Sequence, residues 1–387
     1  MDIIYLHRIA SKDGQYVHVE ELTNAILEQG HDIRFIAPQF TDESEFGSDG
    51  GFVSKLKEKL PQFVYEILEL SYSLLIALKL VVAILQKRPD FIYERYNLYQ
   101  PAGVIVAKLF GLPLLLEVNA PLFDERRKYS GIAIPWLAKA IENFTWRQAT
   151  KVLPVTQVLA NIVMAHGVSK GRIEVVHNGI NEHVYDKFNL VPKTDENPEI
   201  VVGFVGFLNP WHRLDLAVEA MGELKHLNIR LLCVGEGNDN IRETLLAQSH
   251  ELGIPDRVEF TGLKARDEVF DYVKQFDIAL QPAVTPYASP LKLFEYLAAG
   301  SVIVAPDSSN ILEIVDEKTS ILFENENLDS FKEKLKYAIT HFNELFELRE
   351  NARRLVLDEG FTWQGNARRV VDMGKKCMES RGKETNA

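Results

Sequence analysis

Strand-like apolar runs alternate with helical patterns along the whole chain, in two series separated by a polar segment. The first series runs from Ile3 to Val176, and the second begins with the run Ile200–Gly206. Because repeated β-α-β units produce this alternation, it predicts parallel sheets covered by helices. A chain of 387 residues is also too long for one compact core. The sequence therefore predicts an α/β protein made of two doubly wound, Rossmann-like domains.

The polar segment 186–198 marks the expected boundary between the two domains. It contains Pro192, Pro198 and several acidic or amide residues, a composition typical of a linker. We therefore expect a first domain over residues 1–187 and a second over 198–363. The last helical pattern lies far beyond the last strand of the second domain and could pack on either half. We expect this C-terminal helix, within 364–387, to join the first domain.

Composition limits the classes of partner and cofactor. The formal net charge of −12 argues against a nucleic acid as the main partner. Two cysteines and scattered histidines predict neither a disulfide framework nor a metal site. The first residues run directly into a strand, without a basic leader followed by a long apolar stretch, which predicts a cytoplasmic protein.

The apolar stretch Leu68–Leu85 raises the question of a membrane. It contains Glu69 and Lys79, so it is too interrupted for a confident membrane span. We expect a buried or half-buried helix here. The alternative is a surface helix that makes peripheral contact with the inner face of the membrane.

The segment Ser289–Gly300 predicts a helix whose N-terminus can hold an anion. Ser289 is a good N-cap, Pro290 suits the first helical position and Gly300 supplies the stop. The amides of Leu291 and Lys292 would then have no intrahelical acceptor, and the Lys292 ammonium would lie beside them. This arrangement suits a phosphate or a diphosphate.

The same helix carries a carboxylate at Glu295, three residues after Lys292 and on the same face. A carboxylate there can accept two hydrogen bonds from a sugar diol such as a ribose. A short apolar run, 276–282, precedes the helix and reads as a buried strand, which places this site where open α/β sheets bind ligands. An ordinary capped amphipathic helix is the alternative interpretation of these residues.

Taken in order, several short motifs resemble the family 4 retaining glycosyltransferases of the GT-B fold. The motifs follow the family's order and spacing over nearly the whole chain. They are Asp13–Gln15, Glu28–Ile33, Pro89–Arg95, Leu115–Pro121, Val176–Ile180, Gly235–Gly237, Ser289–Gly300 and Phe361–Trp363. The resemblance implies two Rossmann-like domains that face a central cleft, with the acceptor held by the first and a nucleotide-sugar donor by the second.

The resemblance also implies a set of donor contacts. Glu295 would bind the ribose hydroxyls, and the amides of Leu291 and Lys292 would meet the diphosphate. The loop Gly262–Lys264 matches the family's base-binding loop, although Lys264 could equally be a solvated surface lysine. The full set of donor-binding residues implied is Gly14, Gly206, His212, Arg213, Glu236, Leu263, Lys264, Leu291, Lys292 and Glu295. Gly14 has a turn glycine as its alternative interpretation.

The chain departs from the family pattern at three places. Tyr287 stands where the family has the first of two glutamates, so only Glu295 of that pair remains. In the loop after Gly206, His212 and Arg213 stand near the family's lysine position. The diphosphate charge could therefore be met by Arg213, by protonated His212, or by Lys292 alone. Arg213 could instead pair with Asp215 or Glu219 on the surface.

The third departure is Asn119, at a position where many members have a histidine near the reacting sugar. An amide can orient a hydroxyl but does not exchange a proton at neutral pH. Glu94 and Arg95, at the end of a predicted strand, could line the same cleft, but we expect them to form a structural ion pair.

The implied function is transfer of a hexose from a nucleotide-diphosphate sugar to a saccharide or lipid-linked saccharide, with retention at the anomeric carbon. Such a reaction would serve polysaccharide or glycoconjugate synthesis without a metal or other cofactor. Its catalytic residues would be Lys292, Arg213 and Asn119, with the cations stabilising charge on the departing diphosphate. Two alternatives are a sugar-nucleotide epimerase and a catalytically weak nucleotide-sugar-binding partner protein.

Overall fold

The computed structural model describes residues 1–9, 14–38, 60–188, 190, 193, 198–237 and 239–385. Asp13 and most of the expected linker lie outside these residues. The chain divides into two compact units, and we describe each by itself. Unit 1 comprises Met1–His177 together with Trp363–Ala387, and unit 2 comprises Asn178–Thr362.

Unit 1 is built on a parallel sheet of five strands with the order β2-β1-β3-β4-β5. The strands are β1 (Asp2–Leu6), β2 (Asp32–Ile36), β3 (Phe91–Arg95), β4 (Leu114–Val118) and β5 (Lys151–Pro154). Every residue of β3 and β4 is buried, as expected for a parallel sheet with helices on both faces. The expected strand near Ile173 is only a single bridge to Val152 beside β5.

Among the described residues of unit 1, six helices precede the boundary between the units. They are α1 (Gly14–Glu28), α2 (Gln62–Gln86), α3 (Ala102–Leu109), α4 (Leu122–Tyr129), α5 (Pro135–Gln148) and α6 (Gln157–Ala165). By length and composition, α2 is the one helix among the described residues that could cross a membrane. The helix is half-buried, as expected: Ser73, Ile76, Leu80 and Ile84 face the rest of unit 1. Its outward face is apolar, so only 22% of its apolar window is buried.

Unit 2 has a parallel sheet of six strands with the order β11-β10-β9-β6-β7-β8. The strands are β6 (Ile200–Val205), β7 (Ile229–Val234), β8 (Val258–Phe260), β9 (Ile278–Leu280), β10 (Val302–Pro306) and β11 (Ile321–Phe323). The strand order reverses between β6 and β9, which pair directly. This reversal is the topological switch point at which ligands of open α/β sheets bind.

The described part of unit 2 contains seven helices. They are α7 (Glu182–Tyr185), α8 (Leu214–Glu223), α9 (Asp239–Glu251), α10 (Arg266–Val273), α11 (Leu291–Ala299), α12 (Leu328–Thr340) and α13 (Phe346–Asp358). The core on one side of the sheet includes buried side chains of α8 and α12, and the core on the other side includes those of α10, α11 and α13. Two layers of helices around a parallel sheet agree with the expected fold class.

The last helix, α14 (Trp363–Thr385), belongs to unit 1 and packs against α1. The ring of Trp363 meets His18 of α1 edge-on, with 4.8 Å between the ring centroids. The boundary at His177/Asn178 lies before the expected one at residue 187, because Ile180, Tyr185 and Phe188 pack into the core of unit 2. Segment 178–187 therefore belongs to the second unit.

Glu94, at the end of β3, has a fully buried side chain. Neither of its carboxyl oxygens has a hydrogen-bond partner among the described residues. A Cβ at Gly103 would come within 1.8 Å of Glu94 Oε2, so the glycine makes room for the carboxyl group. Burial raises the pKa of Glu94 well above its ordinary value. The expected Glu94–Arg95 ion pair is wrong, because Arg95 pairs with Glu117 of β4.

Substitution of Glu94 by glutamine should stabilise unit 1 above about pH 5. The unfolded chain releases its Glu94 proton near pH 4.3, whereas the folded protein keeps it. Stability of the parent protein therefore falls as pH rises from that value toward the raised folded pKa. We expect Glu94→Gln to add roughly 1–3 kcal/mol at about pH 8 and little at about pH 4, measured by urea unfolding. Glu20→Gln, at an exposed position of α1, is the matched control. An equal effect at both pH values would contradict a protonated Glu94.

Candidate functional site

The loops after four neighbouring strands of unit 2 carry most of the predicted site residues. In the sheet, β9, β6, β7 and β8 lie side by side and run parallel. Their following loops, 281–290, 206–213, 235–237 and 261–265, therefore leave the sheet at one edge.

Helix α11 begins at Leu291, with Pro290 in the N-cap position at φ −71° and ψ 122°. The expected N-cap role of Ser289 is therefore wrong. Ser289 instead fixes the loop: its Oγ accepts a hydrogen bond from the Asn178 N–H at 3.2 Å, and its carbonyl accepts one from Asn178 Nδ2 at 2.6 Å. Leu291 and Lys292 occupy the first two helical positions, whose amides have no intrahelical acceptor. Gly300 ends the helix in the left-handed conformation, as expected.

Two buried polar side chains that the sequence did not single out hold this helix and its preceding loop. Asn310 donates from Nδ2 to the carbonyls of Thr285 and Ala288, at 3.1 and 2.7 Å. The Tyr296 hydroxyl accepts a hydrogen bond from the Val205 N–H at 2.9 Å, which ties α11 to the last residue of β6. Both side chains are fully buried. The N-terminus of α11 is therefore fixed relative to the end of β6.

The ammonium group of Lys292 lies against the end of β6. Its Nζ is 3.9 Å from the centroid of the Phe204 ring. The side chain is partly exposed along its stem, but Nζ is buried and has no hydrogen-bond partner among the described residues. Burial lowers the pKa of Lys292 to about 7, and the nearby Glu295 carboxylate opposes the shift only in part. An anion placed here would supply the acceptor that the ammonium group lacks.

Gly206 makes room for this lysine. A Cβ at position 206 would lie 3.0 Å from Lys292 Nζ, and the backbone has φ 135°, a conformation that favours glycine. Gly235, at the end of the neighbouring strand, approaches more closely still, because its Cβ would lie 2.2 Å from the Gly206 carbonyl oxygen. The two loops thus meet backbone to backbone, and their N–H groups hold them together: Gly206 donates to the Val234 carbonyl at 2.9 Å and Gly235 to the Gly262 carbonyl at 3.2 Å.

His212 lies beside the same ring, with 5.3 Å between its centroid and that of Phe204. Burial, followed by repulsion from the Lys292 charge, lowers the pKa of His212 to about 2. The imidazole of the free protein is therefore neutral at neutral pH, and His212 would have to take up a proton to serve as a phosphate-binding cation. A neutral ring can still donate or accept one hydrogen bond.

Arg213 pairs with an acidic side chain at the surface of unit 2. Its backbone is left-handed, at φ 53° and ψ 42°. The guanidinium forms a two-point pair with Asp215 at 3.0 and 2.9 Å, and both side chains are about half exposed. The surface pair that the sequence analysis kept as an alternative is the arrangement observed.

Glu295 is 4% exposed and accepts a hydrogen bond at 2.6 Å from Arg266 Nη1. Sequence reasoning missed Arg266, the first residue of α10. Its guanidinium lies over the Phe270 ring at 4.5 Å, which fixes its direction. The only available signal was its position two residues after Lys264 in the expected base-binding loop. The pair places a cation next to the carboxylate expected to bind ribose.

The remaining donor residues lie around this edge with fewer contacts. Leu263 is half-buried, and Lys264 Nζ lies 5.5 Å from the centroid of the Tyr272 ring. Glu236 has an exposed side chain, and its carbonyl accepts a hydrogen bond at 3.0 Å from the Leu208 N–H. Tyr287 is half-buried.

Asn119 and Gly14 lie in unit 1. Gly14 is the first residue of α1. Asn119 follows β4, and its Nδ2 donates to Glu117 Oε1 at 2.5 Å. The same carboxylate accepts a hydrogen bond from the Tyr93 hydroxyl at 2.7 Å and pairs with Arg95. Burial raises the pKa of Glu117, but His18, Arg95 and the hydrogen bonds outweigh it and hold that pKa below its usual range. An ionised Glu117 therefore fixes the Asn119 amide.

Two buried histidines complete this cluster in unit 1. Burial lowers the pKa of His7 and of His18 to about 4. His18 Nδ1 lies 3.6 Å from Glu117 Oε1. Both rings are therefore neutral at neutral pH, and Arg95 carries the positive charge opposite Glu117. Among the described residues, no group of three or more His, Cys, Asp and Glu side chains could hold a metal ion.

Comparisons with known proteins place both halves of the chain in glycosyltransferase families. Residues 12–184 match the family model described as Glycosyltransferase Family 4, and residues 186–355 match that described as Glycosyl transferases group 1. An uncharacterised glycosyltransferase of Methanocaldococcus jannaschii is 24% identical over 63% of this chain and 64% of its own length. The 2-deoxystreptamine glucosyltransferase of Streptomyces kanamyceticus is 26% identical over 57% of this chain and 59% of its own length. The chain thus spans about three fifths of the length of these curated relatives.

A solved structure extends the likeness to the whole fold. The Anabaena protein HepE, in complex with UDP, superposes with a TM-score of 0.74 and covers 97% of this chain and 100% of its own. The two proteins are 16% identical in sequence, so the likeness concerns the fold. The expected GT-B fold class is confirmed.

Binding of a diphosphate anion at Lys292 should take up a proton above about pH 7. Because the free protein has a Lys292 pKa of about 7, the lysine is largely neutral at higher pH and must be protonated to pair with the anion. We expect the affinity for UDP to fall by up to about tenfold per pH unit above that value. Calorimetry at about pH 8, in buffers of different ionisation heats, measures the proton uptake.

Lys292→Met is the control for this coupling. It keeps the length of the side chain and removes the charge, so it should bind UDP more weakly at low pH and take up no proton. Proton uptake that is the same in both proteins would assign the coupling to another group.

Proposed function

The chain belongs to the glycosyltransferases that these two family models describe, and on that premise we propose that it transfers a hexose, with retention, from a nucleotide-diphosphate sugar to a saccharide or lipid-linked saccharide. Such a reaction would serve polysaccharide or glycoconjugate synthesis in the cytoplasm. The observation that carries the proposal is the buried Lys292 ammonium group, which has no acceptor among the described residues and lies at the N-terminus of α11.

Lys292 is proposed to stabilise the departing diphosphate. As the bond between the anomeric carbon and the diphosphate oxygen breaks, negative charge grows on that oxygen. A cation and two helix N-terminal amides, held by Asn310 and Tyr296, can receive this charge without rearranging. The leaving oxygen can then accept the proton of the acceptor hydroxyl, so a neutral His212 is compatible with the mechanism. No metal ion is required in this scheme.

The nucleoside is proposed to bind beside α10. Glu295 would accept hydrogen bonds from the ribose hydroxyls, while Arg266 holds the carboxylate in place at 2.6 Å. The loop Gly262–Lys264 would contact the base. The UDP complex of HepE supports UDP as the first nucleotide to test.

In unit 1, Asn119 is proposed to orient a sugar hydroxyl, in place of the histidine found in many relatives. Glu117 accepts the hydrogen bond from the amide nitrogen, which leaves the amide oxygen to accept a hydrogen bond from a substrate hydroxyl. Glu117 would thus act as a positioning residue.

The test is transfer from UDP-, GDP- and ADP-sugars to a panel of saccharide and lipid-linked acceptors. We expect Lys292→Ala to lower kcat by about a hundred- to a thousandfold, because it removes a charge that acts in the transition state. Lys336→Ala, at an exposed position of α12, is the matched control and should leave the rate unchanged. Arg213→Ala should lower kcat less than Lys292→Ala does, since Arg213 already pairs with Asp215. Proton NMR of the product reports whether an α-linked donor gives an α-linked product.

Neither transfer nor slow donor hydrolysis across the panel would count against the proposal. If the protein binds a nucleotide sugar without turnover, and Lys292→Ala leaves the affinity unchanged, the alternative of a nucleotide-sugar-binding partner protein is favoured instead. If the enzyme is active and Lys292→Ala has the same kcat as the parent, the catalytic charge must come from another residue.

Transfer should persist in EDTA. Because the proposed scheme stabilises the diphosphate with protein charges alone, we expect the rate to change by less than about twofold when divalent ions are removed. Restoration of a lost rate by Mg²⁺ or Mn²⁺ would assign part of that task to a metal ion.

A further inference from the structure

Helix α2 turns an apolar face away from unit 1 along its whole length. The exposed apolar side chains of this helix have between 44% and 71% of their surface exposed. They are Phe63, Ile67, Leu68, Leu74, Leu75, Leu78, Val82 and Leu85. From Phe63 to Leu85 this face extends for about 33 Å at the rise of an α-helix. Soluble monomers rarely expose a contiguous apolar surface of such extent.

The opposite side of α2 is fixed by polar contacts with unit 1. Buried Glu66 accepts hydrogen bonds from the Tyr99 hydroxyl at 3.0 Å and from the N–H groups of Ala133 and Ile134 at 2.6 and 3.0 Å. Ser73 Oγ accepts another, at 3.2 Å, from the Ala102 N–H. Rotation of the apolar face inward would break these buried bonds, and those to a charged group are worth about 1.5–3 kcal/mol each. The outward direction of the face is therefore set by the fold.

Further exposed apolar side chains lie on α3 and near the N-terminal end of α2. Ile105 and Leu109 of α3, which packs against α2, have 49% and 75% of their surface exposed. Near the N-terminal end of α2, Trp136 lies two residues beyond Ile134 and is 73% exposed. Tryptophan is enriched at the boundary between lipid and water. We call the exposed apolar residues of α2 and α3, with Trp136, the α2 face.

The exposed charged side chains of the segment that carries α2 and α3 have one sign. Within residues 60–111, all of which are described, the exposed charged side chains are Lys79, Lys87, Arg88 and Lys108. The acidic side chains of this segment are buried or half-buried. The whole chain, in contrast, has a formal net charge of −12. An apolar face with basic residues around it complements an anionic lipid surface.

We propose that the α2 face docks on an anionic lipid bilayer, with α2 lying flat in the interface. Glu66, Glu69 and Ser73 hold one side of the helix on unit 1, so it cannot span the membrane while the unit stays folded. A second copy of the chain is a poorer partner, because a twofold contact would bring the same basic residues together. This inference does not depend on the proposed transferase activity.

Vesicle flotation of the full chain tests the proposal. We expect binding to vesicles of phosphatidylcholine mixed with phosphatidylglycerol, and much weaker binding to phosphatidylcholine alone. The double variant Leu74→Glu/Leu78→Glu should lower the partition coefficient by more than about tenfold, because it removes apolar burial and adds negative charge. Leu312→Glu/Leu357→Glu is the matched control, since these leucines of unit 2 are 49% and 51% exposed. Its binding should equal that of the parent, with melting curves confirming that both variants fold.

The basic residues are tested separately. Lys79→Gln and Lys108→Gln should each lower binding to anionic vesicles by about fivefold, and high salt should do the same. Three outcomes would overturn the proposal. The first is that the protein floats with neither kind of vesicle, and the second is that both leucine double variants lose vesicle binding equally. The third is that the parent does not bind vesicles but forms a concentration-dependent dimer, which Leu74→Glu/Leu78→Glu abolishes.

Discussion

The pairing of β6 with both β7 and β9 determines where the candidate site of unit 2 lies. The chain leaves β6 toward one side of the sheet and returns to its other side by way of β9. The loops after β6 and β9 are therefore neighbours, although Gly206 and Lys292 are far apart in sequence. Tyr296 makes this geometry rigid, because its hydroxyl bonds the last amide of β6 from inside α11. The glycines at the strand ends then let the loops approach each other.

Within this frame the electrostatics of the site follow from desolvation. The Lys292 ammonium is removed from water and faces an aromatic ring and a neutral imidazole. Neither neighbour neutralises it, and a pKa of about 7 is the consequence. The buried charge in unit 1 is different: the Glu117 carboxylate is also buried, but it pairs with Arg95 and accepts hydrogen bonds from Tyr93 and Asn119. Unit 2 thus holds a buried cation without an acceptor among the described residues, whereas the buried Glu117 carboxylate of unit 1 already has its partners.

The two parallel sheets, the helices around them and, to within one residue, the start of α11 could be predicted from the sequence because they depend on periodicity, glycine and proline, which act locally. The roles of Ser289, His212 and Glu94 could not. Ser289 bonds Asn178, more than a hundred residues away, and His212 loses its charge because Phe204 and Lys292 surround it. The role of Arg266 could not be predicted for the same reason, since its pairing with Glu295 exists only in the folded unit. The residue type shows which hydrogen bonds and charges a side chain can offer, whereas burial and long-range contacts determine which of them it uses in the folded protein.

The return of α14 to unit 1 has a consequence for how the protein is made. Gly374 of this helix packs so closely on β3 that a Cβ would meet the Phe91 ring at 2.4 Å. Gln364 also bonds Glu28, the last residue of α1, and Gln29, which follows it. During synthesis, all of unit 2 leaves the ribosome before these contacts can form. Unit 1 therefore waits with the α14-facing surfaces of α1 and β3 uncovered, although it is the first to emerge. The sequence of the second unit is therefore complete outside the ribosome before that of the first.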